Sequence, residues 1–210
     1  MCKVLDMYSK CQKMKENACT YNTRRVIIIL GEFMIQEIKV ILDSNANIPL
    51  EVKDEIVKLI EIFHSTFKDV SLDNLKEKLK TLKIKRESMF LTKLPCEYKP
   101  FTNEILINAP RLEESDAAHW FMHALIGVIT SKDNYYGFNN SENTLVALNE
   151  GYTEIITNNL VGDVENNFFA DEIIITNLIS KAVGEDILYE SFFNNDSERL
   201  IKAMIEAEEK

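Results

Sequence analysis

Helical spacing of apolar residues over most of the chain constrains the fold more than any other feature. From Arg24 to about Asp43, Val26, Ile29, Leu30, Phe33, Met34, Ile38 and Ile41 fall on one face of a helix. Asp43-Ser44-Asn45-Ala46-Asn47 interrupts the pattern, and Pro49 stands where a second helix can begin. That helix runs from Val52 to Phe67 through Ile56, Leu59, Ile60 and Phe63. Ser71-Leu72-Asp73-Asn74 offers a cap for a third, amphipathic helix reaching about Arg86. Six glycines and four prolines in 210 residues leave little material for long linkers or for an all-β sandwich. With 46 % hydrophobic residues, the chain can bury a sizeable core without disulfide staples.

The period changes after Arg86. Met89-Phe90-Leu91-Thr92 and Glu104-Ile105-Leu106-Ile107-Asn108 are short and β-prone, and they bracket Pro95 and Pro100; they read as two strands of a small sheet. Helical spacing resumes at about Glu113. Polar breaks at Ser131–Glu142 and Gly162–Asn167 and a turn at Gly184-Glu185-Asp186 divide the rest into four helices. The expected fold class is α+β and predominantly helical. Residues 1–86 form a helical N-terminal region and residues 87–210 a second unit, the two making one compact body.

Charge narrows the function. Lys+Arg 24 against Asp+Glu 34 leaves a net charge of −10, which disfavours nucleic acid as a partner, because phosphate recognition needs concentrated cations. The one basic cluster, Lys76, Lys78, Lys80, Lys83, Lys85 and Arg86, is interleaved with Leu75, Leu79 and Leu82 and reads as the wet face of a helix. No membrane span is expected, since Val26-Ile27-Ile28-Ile29-Leu30 is stopped by Gly31 and Glu32. Cys2, Cys11, Cys19 and Cys96 fit no common zinc-ribbon spacing, and no secretory signal is seen, so reduced thiols and a cytoplasmic location are expected. Cys96 reads as an inert, half-buried thiol.

The chemistry-bearing residues lie in the second half. His119 and His123 are four apart within Ala118-His119-Trp120-Phe121-Met122-His123-Ala124, so both imidazoles share one helical face. Two imidazoles one turn apart offer a divalent metal two ligands. Glu150, in the next predicted helix, supplies a third, and Glu154, one turn on, is placed to accept the N–H of a ligand histidine and fix its tautomer. The same four residues also suit a buried hydrogen-bonded network with no metal. Asp116, Tyr135, Tyr136 and Tyr189 are further polar candidates that no spacing rule ranks.

The stretch Glu104–Thr157 resembles the core of gluzincin-type zincin metallopeptidases, in particular small bacterial zincin-like proteins. Its counterparts of the family's strand, H-E-x-x-H helix and L-N-E-G-x-T-E helix are Ile105-Leu106-Ile107, His119 to His123, and Leu148-Asn149-Glu150-Gly151-Tyr152-Thr153-Glu154. The segment Gly184 to Phe193 is similar to the family's C-terminal helical segment. The resemblance implies a zincin-like domain whose small sheet precedes the His-x3-His helix, with zinc held by His119, His123 and Glu150.

Trp120 occupies the position of the family's catalytic glutamate. That carboxylate takes a proton from the metal-bound water and delivers it to the leaving amine, and indole has no basic lone pair with which to do either. The expectation is therefore a zincin-like pseudopeptidase that binds zinc, has no catalytic residue, and acts by binding a protein or peptide. The alternatives are a zinc metallopeptidase of altered or weak activity and a metal-free helical interaction protein.

Overall fold

A computed structural model describes residues 23–87, 94–142, 144–162 and 168–208. The expected strand Met89-Phe90-Leu91-Thr92 and the cysteines Cys2, Cys11 and Cys19 lie outside these residues. The architecture is α+β, mainly helical, with a small three-stranded sheet.

Three helices come first: α1 (Thr23–Ser44), α2 (Leu50–Thr66) and α3 (Asp73–Leu79). The apolar stripe of α2, Ile56, Leu59, Ile60 and Phe63, is buried as its spacing predicts, and so are Leu75, Leu79 and Leu82 behind the basic cluster. The third helix is shorter than expected. It stops at Leu79, where the buried Asn45 amide donates to the carbonyls of Leu79 at 2.8 Å and Leu82 at 2.9 Å. Residues Lys83–Glu87 then form strand β1 rather than a last helical turn. Lys-Ile-Lys also alternates with period two, and a parallel partner was available: β1 pairs with β3 (Glu104–Asn108), Lys83 opposite Glu104. The Lys85 ammonium lies 2.7 Å from Glu104 Oε1.

Strand β2 (Cys96–Lys99) joins β3 from the other side, antiparallel, with Cys96 opposite Ile107, giving the order β1-β3-β2. Cys96 is fully buried, and burial pushes its thiol far above the ordinary range, so the group is inert. A short helix α4 (Ala109–Glu113) follows β3 directly. The chain then breaks before the histidine helix α5 (Ala117–Ile129), because Asp116 turns its side chain back to accept from Ala118 N and His119 N. Every residue of α5 from His119 to Ile129 is buried. A helix apolar on all sides belongs in the centre of a fold, and α2, α3, α4, β2 and α6 pack around this one.

The segment read as a polar loop contains a small hairpin, β4 (Ser131–Lys132) and β5 (Tyr135–Tyr136), with Asp133 at positive φ in its turn. Helix α6 (Val146–Val161) and helix α7 (Ala170–Val183) follow, then α8 (Glu185–Phe193) and α9 (Ser197–Glu208). The last two replace the single terminal helix expected from periodicity. Asn195 adopts φ 52°, and Asp196 accepts from Arg199 N, ending one helix and capping the next. One apolar core runs from Ile35 to Leu200, and β1 spans residues 83–87, so the elements on either side of residue 86 share a sheet and an interior.

Candidate metal centre

Helices α5 and α6 run antiparallel, which follows from their contacts: His119 meets Glu154 and His123 meets Glu150. His119 Nε2 lies 3.1 Å from Glu154 Oε2, a hydrogen bond in the tautomer protonated at Nε2. His123 Nε2 lies 3.7 Å from Glu150 Oε2 and 3.8 Å from Glu154 Oε2. His119 and Glu154 are fully buried, and the side chain of Glu150 is the most open of the four at 16 %. His119 Nδ1, His123 Nε2 and Glu154 Oε1 are buried without a hydrogen-bond partner. Unpaired polar atoms in such surroundings are costly and ask for an occupant or a charge to satisfy them.

The sequence around Glu150 explains how it is aimed. Asn149 Oδ1 accepts from Phe138 N at 2.9 Å and ties α6 to the chain leaving the hairpin. Gly137 holds φ 58°, and a Cβ there would meet Asn149 Oδ1 at 2.1 Å. Gly151 lets the next helix close in: a Cβ would stand 2.3 Å from the carbonyl oxygen of Glu172 on α7. In Asn-Glu-Gly, therefore, one residue anchors, one points into the site, and one makes room for a neighbouring backbone.

The hairpin contributes Tyr136, whose hydroxyl donates to Glu150 Oε1 at 2.8 Å. Two of the other polar candidates, Asp116 and Tyr189, are engaged elsewhere. Asp116 is a helix cap, and the Tyr189 hydroxyl bonds Asp69. Tyr189 lines a separate cavity of about 480 Å³ with Asn74 and Thr130, which none of the four site residues reaches.

Trp120 is buried with its ring against both imidazoles, the centroids 5.5 Å from His119 and 5.8 Å from His123. Phe168 packs edge-on against Trp120, and Phe169 stacks on His123. Phe169 thus covers His123 while Phe168, half exposed, lies on the outer side of Trp120; adjacent aromatics after a polar loop carry no spacing signal. A cleft of about 240 Å³ reaches His123 and Glu150 between Cys96 and Tyr98 of β2 on one side and Tyr136 and Phe169 on the other.

Burial depresses the pKa of His123 to about 3, and the neighbouring His119 adds to the effect, so its imidazole is neutral, the form that binds metals. Burial raises Glu150, opposed by the hydrogen bond from Tyr136. The donor set, imidazole nitrogens facing carboxylates, has the chemistry zinc prefers. Tetrahedral zinc with ligands at ~2.0–2.2 Å sets them ~3.3–3.6 Å from one another. Of the expected ligands, His123 and Glu150 stand 3.7 Å apart, near that edge, while Glu154 lies 3.1 and 3.8 Å from the two imidazoles. They form a chain of contacts, not a closed set: among the described residues, no group of three or more His, Cys, Asp or Glu is already arranged to hold a metal ion. Also among the described residues, no helix is long and apolar enough to cross a membrane. Comparison with protein-family models, with curated proteins and with solved structures finds no match.

Proposed function

We propose that this chain is a zincin-like pseudopeptidase, in which His119, His123 and Glu150 hold zinc, no residue serves as catalytic base, and the protein acts by binding a protein or peptide. The observation that carries this reading is His123 Nε2, buried without a hydrogen-bond partner and facing the carboxylates of Glu150 and Glu154. Zinc bound there would act as a Lewis acid toward an oxygen ligand. The chain's own groups do not extend that into hydrolysis. Trp120 replaces a carboxylate with an apolar ring packed on both histidines, and it can neither take up nor return a proton. Asp116 and Tyr189 are bonded away from the site, and the Tyr136 hydroxyl donates to Glu150. The cleft beside β2 opens on His123 and Glu150 and suits an extended peptide segment.

A metal-free interaction protein is the second reading. It is favoured by the direct His119–Glu154 contact and by the open arrangement of the four side chains. Metal analysis of the full chain as isolated separates the two: stoichiometric zinc supports the first, and none supports the second. The zinc-loaded wild type, offered a broad peptide library read by mass spectrometry, is expected to cleave nothing above background. Chelator-sensitive cleavage that disappears in His123→Ala would instead make the chain a metallopeptidase of altered activity.

A further inference from the structure

We infer that the outer face of α7 is a self-association surface, on which a second copy of this chain docks its own α7, antiparallel, about a two-fold axis level with Thr176. The inference is independent of the metal reading. Ile174, Ile175 and Leu178 are 58, 43 and 61 % exposed. They are the one place among the described residues where three exposed large apolar side chains fall within five positions. Asp171, Ile174, Leu178 and Lys181 follow one another at i, i+3, i+7 and i+10, so they share one side of α7, with Ile175 beside them. All five are exposed. The buried Thr176 faces the opposite way, toward Gly151 of α6, and Ile179 and Val183 pack on the core. Helix α7 therefore carries two apolar faces, and its own chain covers one of them.

The order of charges along the stripe selects the occupant. Position 176 is the midpoint both of Asp171 and Lys181 and of Ile174 and Leu178. A helix reversed about that level brings Asp171 of each copy opposite Lys181 of the other, and Ile174 opposite Leu178. Such a surface is complementary to itself, which is what an isologous two-fold contact requires. Parallel docking would instead set Asp171 against Asp171 and Lys181 against Lys181, an arrangement that like-charge repulsion disfavours. Each charge also stands at the end of α7 that the helix dipole favours, so neither by itself calls for a partner. The apolar side chains between them do. With 14 residues, α7 is ~21 Å long. A contact built on one such pair lies at the small end of interface sizes, below about 1,200 Å² in total, so the dimer is weak and concentration-dependent.

The test is sedimentation equilibrium of the full chain at about 0.15 M salt, where repulsion between copies of net charge −10 is screened beyond ~8 Å. The wild type is expected to pass reversibly from monomer to dimer between about 10 μM and 1 mM. Leu178→Glu should remain monomeric over that range, because it places two carboxylates inside the contact, with its far-UV circular dichroism unchanged. Asp171→Lys and Lys181→Asp should each weaken the dimer by about 5- to 30-fold, since the two-fold axis removes two ion pairs at once. The double variant exchanges the charges and should regain the wild-type dimer. A wild type that stays monomeric to about 1 mM would overturn the inference and leave the face to a different partner. A dimer that Leu178→Glu leaves intact would overturn it too. Should that variant lose its helical signal, Ile174→Gln takes its place with the same expected outcome. A double variant no better than the single ones would overturn the antiparallel register.

Discussion

The ring of Phe169 lies flat on the imidazole of His123, with centroids 5.2 Å apart and planes 9° from parallel. Phe169 immediately precedes α7, so the packing of α7 on α6 sets the cover over a residue of α5. The exposure of the site is in this way coupled to α7, a helix that contributes no polar group to it.

Phe169→Ala should uncover His123 and destabilise the fold. Phe169 is buried, and truncating a buried phenylalanine costs about 3–5 kcal/mol. Modification of His123 by diethyl pyrocarbonate, followed by mass spectrometry, should speed up in the variant under conditions where it remains folded. An unchanged rate would mean that the stacked ring does not control access.

Gly151→Ala should be worse than an ordinary glycine replacement in a helix. Alanine in a helix interior normally gains about 0.5–1 kcal/mol over glycine. Here the added carbon would sit 2.3 Å from a backbone oxygen of α7 and 2.4 Å from Thr176 Oγ1, so α6 and α7 must separate. Overpacking of this kind costs about 1–3 kcal/mol, and a lowered urea midpoint would register it. A midpoint at or above that of the wild type would show that α7 yields freely.

Tyr136→Phe deletes the hydroxyl that donates to Glu150 Oε1 and leaves the carboxylate to find another partner. If Glu150 is a ligand, zinc affinity should fall by ~10–100-fold with the fold intact, measured by competition with a chelator of known affinity. Unchanged zinc retention would place Glu150 outside the coordination set.

Acid should weaken the metal-free protein through His123. Its folded pKa of about 3 lies below the ordinary 6.5, so between those values the unfolded chain binds a proton that the folded chain refuses. Stability therefore falls as pH drops through this window, by at most about 1.4 kcal/mol per pH unit. Glu150 has the opposite sign: with its folded pKa raised above 4.5, its contribution is present at low pH and is lost as pH rises. Urea midpoints at pH 4.5 and 6.5, taken with chelator present, should differ less in His123→Gln than in the wild type, and more in Glu150→Gln. Equal differences in all three proteins would show that neither group titrates across the transition.

Helices α2 and α3 were legible because each buries apolar residues at helical spacing, a property of the local chain that needs no partner to be recognised. Strand β3 was legible for a related reason: Glu104–Asn108 is compact, β-branched and bounded by turn residues. Lys83–Glu87 misled because its charges fit either period. The choice was made by a distant strand, and by the Asn45 side chain taking the carbonyls of Leu79 and Leu82. The break at Asn195 was hidden because an asparagine signals positive φ only weakly.

The same division holds at the candidate site. The sequence by itself determined that His119 and His123 share a face, that Glu150 and Glu154 share another, and that Trp120 stands between the histidines, since a helix puts residues four apart on one side. Only the tertiary structure decided that these faces meet, which of Tyr135, Tyr136 and Tyr189 reaches Glu150, and that Phe169 covers His123. It also decided that Glu154 faces Nε2 of both rings. Those outcomes depend on the crossing of α5 and α6, the approach of α7 that Gly151 permits, and the hairpin tied down by Asn149. They are set by packing between segments far apart in the chain, and no local spacing encodes them.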